Sequence, residues 1–233
     1  MAIWNIIRRF GKFFTEDNQM SNPPVFARDY VFSAQLTNLA YSSSHLETGM
    51  TGDRLAAAIR ENGNPFASEA ELTAFARDYE VVLSSSSIAG DTSGANFVAF
   101  HKLGTGVISF AIAGIGSEAE AESTFSRTMM SGFNDLQYAS VRNAIEILWE
   151  TFPNAQFDLS GHSLGGQLIQ VLTADFFLHG REDQLLSAVT FGTYGVNLSA
   201  AGNFVFGSSL VPDFRQLLNE LGRRLISTHP QPH

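Results

Sequence analysis

The eleven residues DLSGHSLGGQL, Asp158 to Leu168, constrain this chain more than any other stretch. Gly161-His162-Ser163-Leu164-Gly165 reads G-x-S-x-G. A short strand-like run, AQFDLS, precedes it, and LGGQLIQVL follows with helical character. A serine between a strand and a helix at this spacing sits on a sharp turn in strained backbone conformation. Only neighbours without bulk allow that turn, so Gly161 and Gly165 are expected where strand and helix approach, with Gly166 extending the contact. The helix start would then aim free N–H groups and its positive dipole end at any negative charge forming beside Ser163. An ordinary Gly-rich βα turn is the competing reading; the strand, the helix and the third glycine favour a nucleophile. His162 is read as a packing or hydrogen-bonding neighbour, its side chain pointing away from that of Ser163.

The surrounding pattern predicts an α/β fold: a mostly parallel central sheet with helices on both faces. Helices are expected in YVFSAQLTNLAYSS, GDRLAAAIREN and SEAELTAFARDYE, the last opened by a capping box of Ser68 and Glu71. The period then shortens. EVVLSSSSI, NFVAFHKL and GVISFAIAG are short and rich in β-branched and aromatic residues, and LGTG joins the last two as a hairpin. A helix over Asp135–Phe152, the elbow strand and helix, a strand in LLSAVTFGT and a final helix in FRQLLNELGRRLI complete the alternation.

At 233 residues, 44% of them hydrophobic, the chain can bury one sizeable core. The net charge of −9 argues against nucleic acid as a partner. There is no cysteine, so neither disulfides nor thiolate metal sites are expected. The six histidines are scattered without ligand spacing, no phosphate loop is visible, and no cofactor or metal is expected. No apolar run reaches membrane-spanning length. The start, MAIWNIIRRFGKFF, sets Ile3, Ile6, Ile7, Phe10, Phe13 and Phe14 against Arg8, Arg9 and Lys12. It reads either as a helix at a membrane or lipid interface through residues 1–14 or as one packed on the domain. The polar segment behind it places a boundary near residue 22, giving 1–22 as helix and linker and 23–233 as the domain. The double arginine interrupts any secretory apolar region, leaving a cytoplasmic location or secretion by another route.

From about Ala34 to Gly192 the chain resembles the class 3 (fungal-type) lipases, a branch of the α/β-hydrolase fold. AQLTNLAYSS is similar to that family's N-terminal helix ending in Ala-Tyr, and NFVAFHKLGTGVISFAIAGIGS to the hairpin leading into its oxyanion loop. DLSGHSLGGQLIQVLTADFF is the specific part, and AVTFGTYGV resembles a strand that normally leads into a Pro-containing turn. The resemblance implies a serine carboxylic-ester hydrolase, a lipase or esterase acting on acylglycerol or phospholipid through an acyl-enzyme. It implies an oxyanion hole from the N–H groups of Leu164 and Ile115. Two departures stand out. Ala113-Gly114-Ile115 replaces the usual Arg-Gly-Thr, removing a hydroxyl, and Tyr194-Gly195 replaces the Pro-turn.

In α/β-hydrolases the acid and then the base follow the serine. Of the later histidines, His179 ends the helix that Ser163 begins and is about 20 Å away along it. His229 and His233 remain, and His229 is taken as the base; the competing reading is a loose chain end. Asp175, Glu182 and Asp183 are read as solvated. Asp213 is the candidate acid, or else the N-cap of the final helix. Residues 117–134, with Phe125, Met129, Met130 and Phe133 behind an acidic start, read as a lid or as a packed helix. The altered oxyanion loop and the short interval from Asp213 to His229 keep a second function in view: a lipase-fold binding or structural protein without chemistry.

Overall fold

The computed structural model describes residues 25–115 and 134–193. The N-terminal segment 1–22, the lid segment 117–133, and Asp213, His229 and His233 lie outside the described residues. Among the described residues five α-helices and five strands follow one another: α1 (Val25–Ala40), α2 (Gly52–Asn62), α3 (Glu69–Asp78), β1 (Tyr79–Ser84), β2 (Phe97–Lys102), β3 (Val107–Ile112), α4 (Asp135–Thr151), β4 (Gln156–His162), α5 (Leu164–Leu178) and β5 (Leu185–Phe191).

The strands form one sheet in the order β1-β2-β3-β4-β5. The first two ladders are antiparallel and the last two parallel. The α/β expectation therefore holds, with a sheet that is mixed over the described residues instead of mostly parallel. The physical reason is connection length. Leu103–Gly106 spans only a hairpin between β2 and β3, whereas β3–α4–β4 and β4–α5–β5 carry the helical crossovers that parallel pairing requires.

Alternation along the strands divides the core in two. Phe97, Ala99, Ile108, Phe110, Ile112, Phe157 and Leu159 face α4 and α5, meeting Val141, Ile145, Leu148, Leu168 and Leu172. Val98, Phe100, Ala111 and Ala113 face the other way, toward Leu36 and Leu39 of α1, Leu55 and Ile59 of α2, and Leu72 and Phe75 of α3. Helices thus cover both faces, as predicted. Phe75 stacks on Tyr79 and meets Phe100 edge-on at 5.2 Å, so much of the phenylalanine content fills the core.

Local chemistry matches the predicted starts and stops. Ser68 caps α3 by accepting the Glu71 N–H, and Glu71 Oε2 accepts the Ala67 N–H at 3.0 Å. The helix predicted to run through Glu80 ends at Asp78, because Tyr79 and Glu80 pair with Lys102 and His101 as the first rungs of β1. None of the described helices is long and apolar enough to cross a membrane.

Candidate active site

β4 ends at His162, α5 begins at Leu164, and Ser163 is the single residue between them. Its backbone lies at φ 53°, ψ −118°, and among the described residues it is the only non-glycine with positive φ. For an L-residue this is a strained conformation, costing about 1–3 kcal/mol, that persists only where the surroundings enforce it. The Ser163 N–H donates to the Phe191 carbonyl at 2.9 Å, pinning the turn to β5. Although serine is a favoured N-cap, its Oγ makes no capping bond to α5.

Each predicted glycine has its own close contact. A Cβ on Gly161 would lie 2.5 Å from the Gly165 carbonyl oxygen and 2.8 Å from Ile169 Cγ1. One on Gly165 would overlap the Ile112 and Ala113 carbonyl oxygens at the end of β3. One on Gly166 would meet Thr193 Cβ at 2.7 Å, just past β5. The three glycines therefore join α5 to β4, to β3 and to the chain beyond β5.

The two predicted oxyanion donors lie in the stretches that follow β4 and β3. Leu164 is the first residue of α5, in the turn whose N–H groups lack intrahelical acceptors and carry the positive end of the helix dipole. Ile115 lies two residues past Ala113, whose N–H still donates to Asn96 at 2.8 Å. Between them, a Cβ on Gly114 would sit 3.0 Å from Ser163 Cβ and 3.0 Å from the His162 carbonyl oxygen. Gly114, in the loop after β3, thus runs against Ser163. The predicted acid and base, Asp213 and His229, fall outside the described residues.

Sequence reasoning missed Tyr41 as part of this site. It follows the last residue of α1, and its hydroxyl accepts the Gly114 N–H at 3.0 Å and lies 2.7 Å from His162 Nδ1. His162 is hydrogen-bonded, one of the two roles the sequence suggested for it, and it is exposed. The only signal for Tyr41 was the Ala40-Tyr41 pair, which says nothing about a partner 121 positions away.

One expectation is overturned. Asp175, read as solvated, is fully buried. α5 is apolar on nearly every side and carries Asp175 beneath α4, where Arg142 Nε donates to Oδ2 at 2.9 Å. His179 Nδ1 lies 2.9 Å from the Asp175 carbonyl oxygen, and its Nε2 is 3.0 Å from Arg142 Nη2. Burial, and then the Asp175 charge, push the neighbouring Tyr138 phenol far above its usual range. This cluster joins α4 to α5 at the end of α5 remote from Ser163. Glu182 is half-buried and Asp183 exposed. Among the described residues no three histidine or carboxylate side chains gather as a metal site would need.

Residues 97–207 match the family model "Lipase (class 3)", a segment that opens at β2 and contains the whole serine turn. This segment is similar to the class 3 lipases. Ser163 and the expected donors Leu164 and Ile115 lie within the match, while Asp213 and His229 lie beyond it. Solved structures similar to the chain include the Lip2 lipase of Yarrowia lipolytica, 16% identical with a TM-score of 0.48, covering 79% of this chain and 65% of that one. The lipase of Rhizopus microsporus var. chinensis is 14% identical with a TM-score of 0.46, covering 78% and 69%. The Rhizomucor miehei lipase propeptide complex is 15% identical with a TM-score of 0.48, covering 81% and 60%. The chain therefore spans less than two thirds of the Yarrowia lipase's length. No curated protein matches the sequence.

Proposed function

We propose that this protein is a serine carboxylic-ester hydrolase, a lipase or esterase, with Ser163 as its nucleophile. The observation that carries the reading is the backbone of Ser163: φ 53° at a strand-to-helix turn, held by glycines whose Cβ positions are filled by neighbouring atoms. Such strain serves one purpose well, which is to lift a hydroxyl clear of its own backbone.

In the proposed reaction Ser163 Oγ attacks the ester carbonyl carbon while His229 takes its proton. The N–H groups of Leu164 and Ile115 receive the oxyanion, and collapse expels the alcohol, protonated by His229, leaving an acyl-enzyme. Water, deprotonated by His229, then attacks the acyl carbon and releases the acid and free Ser163. Asp213 would hold His229 in the required tautomer. The substrate class is an ester or lipid, with phospholipid as one option.

Labelling with a fluorophosphonate, which needs a competent serine and base, tests the reading together with a panel of p-nitrophenyl esters. Wild-type protein should label and hydrolyse, and Ser163→Ala should do neither. A second reading rests on Ile115, which brings no hydroxyl to the oxyanion loop. It makes the protein a lipase-fold binding protein, and a folded wild type that takes no label would favour it.

A further inference from the structure

We infer that Tyr41 is a positioning residue for the oxyanion loop, acting through Gly114 and His162. The inference rests on the ester-hydrolase reading above.

Three chain segments distant in sequence meet at the Tyr41 hydroxyl. Leu36, Leu39 and Ala40 are buried at the end of α1, so Tyr41 projects from a fixed mount. Its oxygen accepts the Gly114 N–H at 3.0 Å. A backbone N–H can only donate, so the single phenolic proton is left for His162 Nδ1, at 2.7 Å. With His162 carrying its ring proton on Nε2, the chain of bonds runs Gly114 N–H to Tyr41 O–H to His162 Nδ1. Glycine is required at 114 for this contact, since a Cβ there would lie 2.8 Å from the phenolic oxygen.

The consequence is positional. Gly114 is held on one side by Tyr41 and on the other by Ser163 and the His162 carbonyl, and the next N–H along the chain is that of Ile115. The distance between the Ile115 and Leu164 donors therefore depends on the Tyr41 bond. With no hydroxyl at residue 115 to bond and steady the loop, the hold comes from outside it. Because its proton is engaged by His162, Tyr41 orients the donors without itself contacting the oxyanion.

The test uses full-length protein, p-nitrophenyl butyrate, and a phenylboronic acid that forms a tetrahedral adduct on serine. Tyr41→Phe should lower kcat on the order of tenfold, with KM changed by less than about twofold. The boronate Ki should rise by the same factor as kcat/KM falls, a proportion that a merely structural loss would not reproduce. Unchanged kcat and Ki in folded Tyr41→Phe would overturn the inference, as would a fall in kcat with no change in Ki. If Tyr41→Phe is insoluble, His162→Leu should show the same loss and His162→Asn, which keeps an acceptor near the Nδ1 position, should recover most of it. Equal activities for that pair would overturn the inference. A wild type that neither hydrolyses nor labels overturns the hydrolase reading, and this inference with it. An active wild type with an unaffected Tyr41→Phe overturns this inference alone.

Discussion

Gly161 and Gly165 approach so closely that a Cβ on the first would lie 2.5 Å from the carbonyl oxygen of the second. Strand β4 and helix α5 meet here backbone to backbone, with the Ile169 side chain beside them. Gly165 in turn packs on the carbonyl oxygens of Ile112 and Ala113, so one added methyl there would push α5 away from the end of β3. Gly165→Ala should cost at least about 2 kcal/mol, since overpacking against backbone cannot be relieved by a rotamer change. Gly106 is the control, because a Cβ there would meet only the Asn154 carbonyl oxygen, at 4.0 Å. Gly106→Ala should be neutral or stabilising by about 0.5 kcal/mol. Urea denaturation of both variants checks the contrast, and similar stabilities would refute the packing argument.

The strain at Ser163 can be separated from its chemistry. Ser163→Ala and Ser163→Gly both lack the hydroxyl, and neither should hydrolyse esters. Alanine keeps a Cβ at φ 53° whereas glycine does not, so Ser163→Gly should be the more stable by about 1 kcal/mol. Thermal melts of the two variants measure this directly. A glycine variant less stable than the alanine one would show that the turn is not strained.

For the proposed acid and base, His229→Ala should lower kcat by several orders of magnitude, while His233→Ala should change it little. The base must come within about 3 Å of the Ser163 hydroxyl, and the neighbouring Pro230 and Pro232 restrict how the tail can fold back. Asp213→Asn should cost on the order of 10⁴-fold, because the wrong imidazole tautomer is then favoured. Wild-type rates in either His229→Ala or Asp213→Asn would remove that residue from the triad.

Asp175 is fully buried, while Arg142 keeps access to solvent and a second partner in Glu146 at 3.0 Å. Removing the cation is therefore the harsher change. Arg142→Ala strands a buried carboxylate and should cost about 3 kcal/mol. Combining Arg142→Met with Asp175→Leu should cost clearly less, since apolar residues of similar size can replace a buried pair. Denaturation curves of single and double variants decide it; a double variant worse than Arg142→Ala would contradict the desolvation argument.

On their sequence alone residues 1–14 read either as an interfacial helix or as one packed on the domain, and a deletion tells the two apart. Deleting residues 1–16 should weaken binding to anionic liposomes and spare hydrolysis of soluble short-chain esters. Equal liposome binding by both forms would exclude the interfacial role.

What the sequence by itself determined are features whose causes lie within a few residues. The Ser163 turn is legible because strand, glycines and helix are adjacent, and so is the Ser68–Glu71 cap, which spans three positions. The β2–β3 hairpin is legible from Leu103–Gly106 and the two apolar runs beside it. Tertiary structure alone decided the rest, since the causes there are contacts between distant parts of the chain. Tyr79 and Glu80 continue a helical pattern, yet rungs to Lys102 and His101 take them into β1. Asp175 looks like a surface carboxylate until α4 is laid over α5 and Arg142 meets it, 33 positions away. Tyr41 is an unremarkable residue after a helix until folding brings Gly114, 73 positions on, and His162, 121 positions on, to the same hydroxyl. A hydrogen bond leaves no trace in the sequence when its partners share neither an element nor a period, and only the packed chain reveals it.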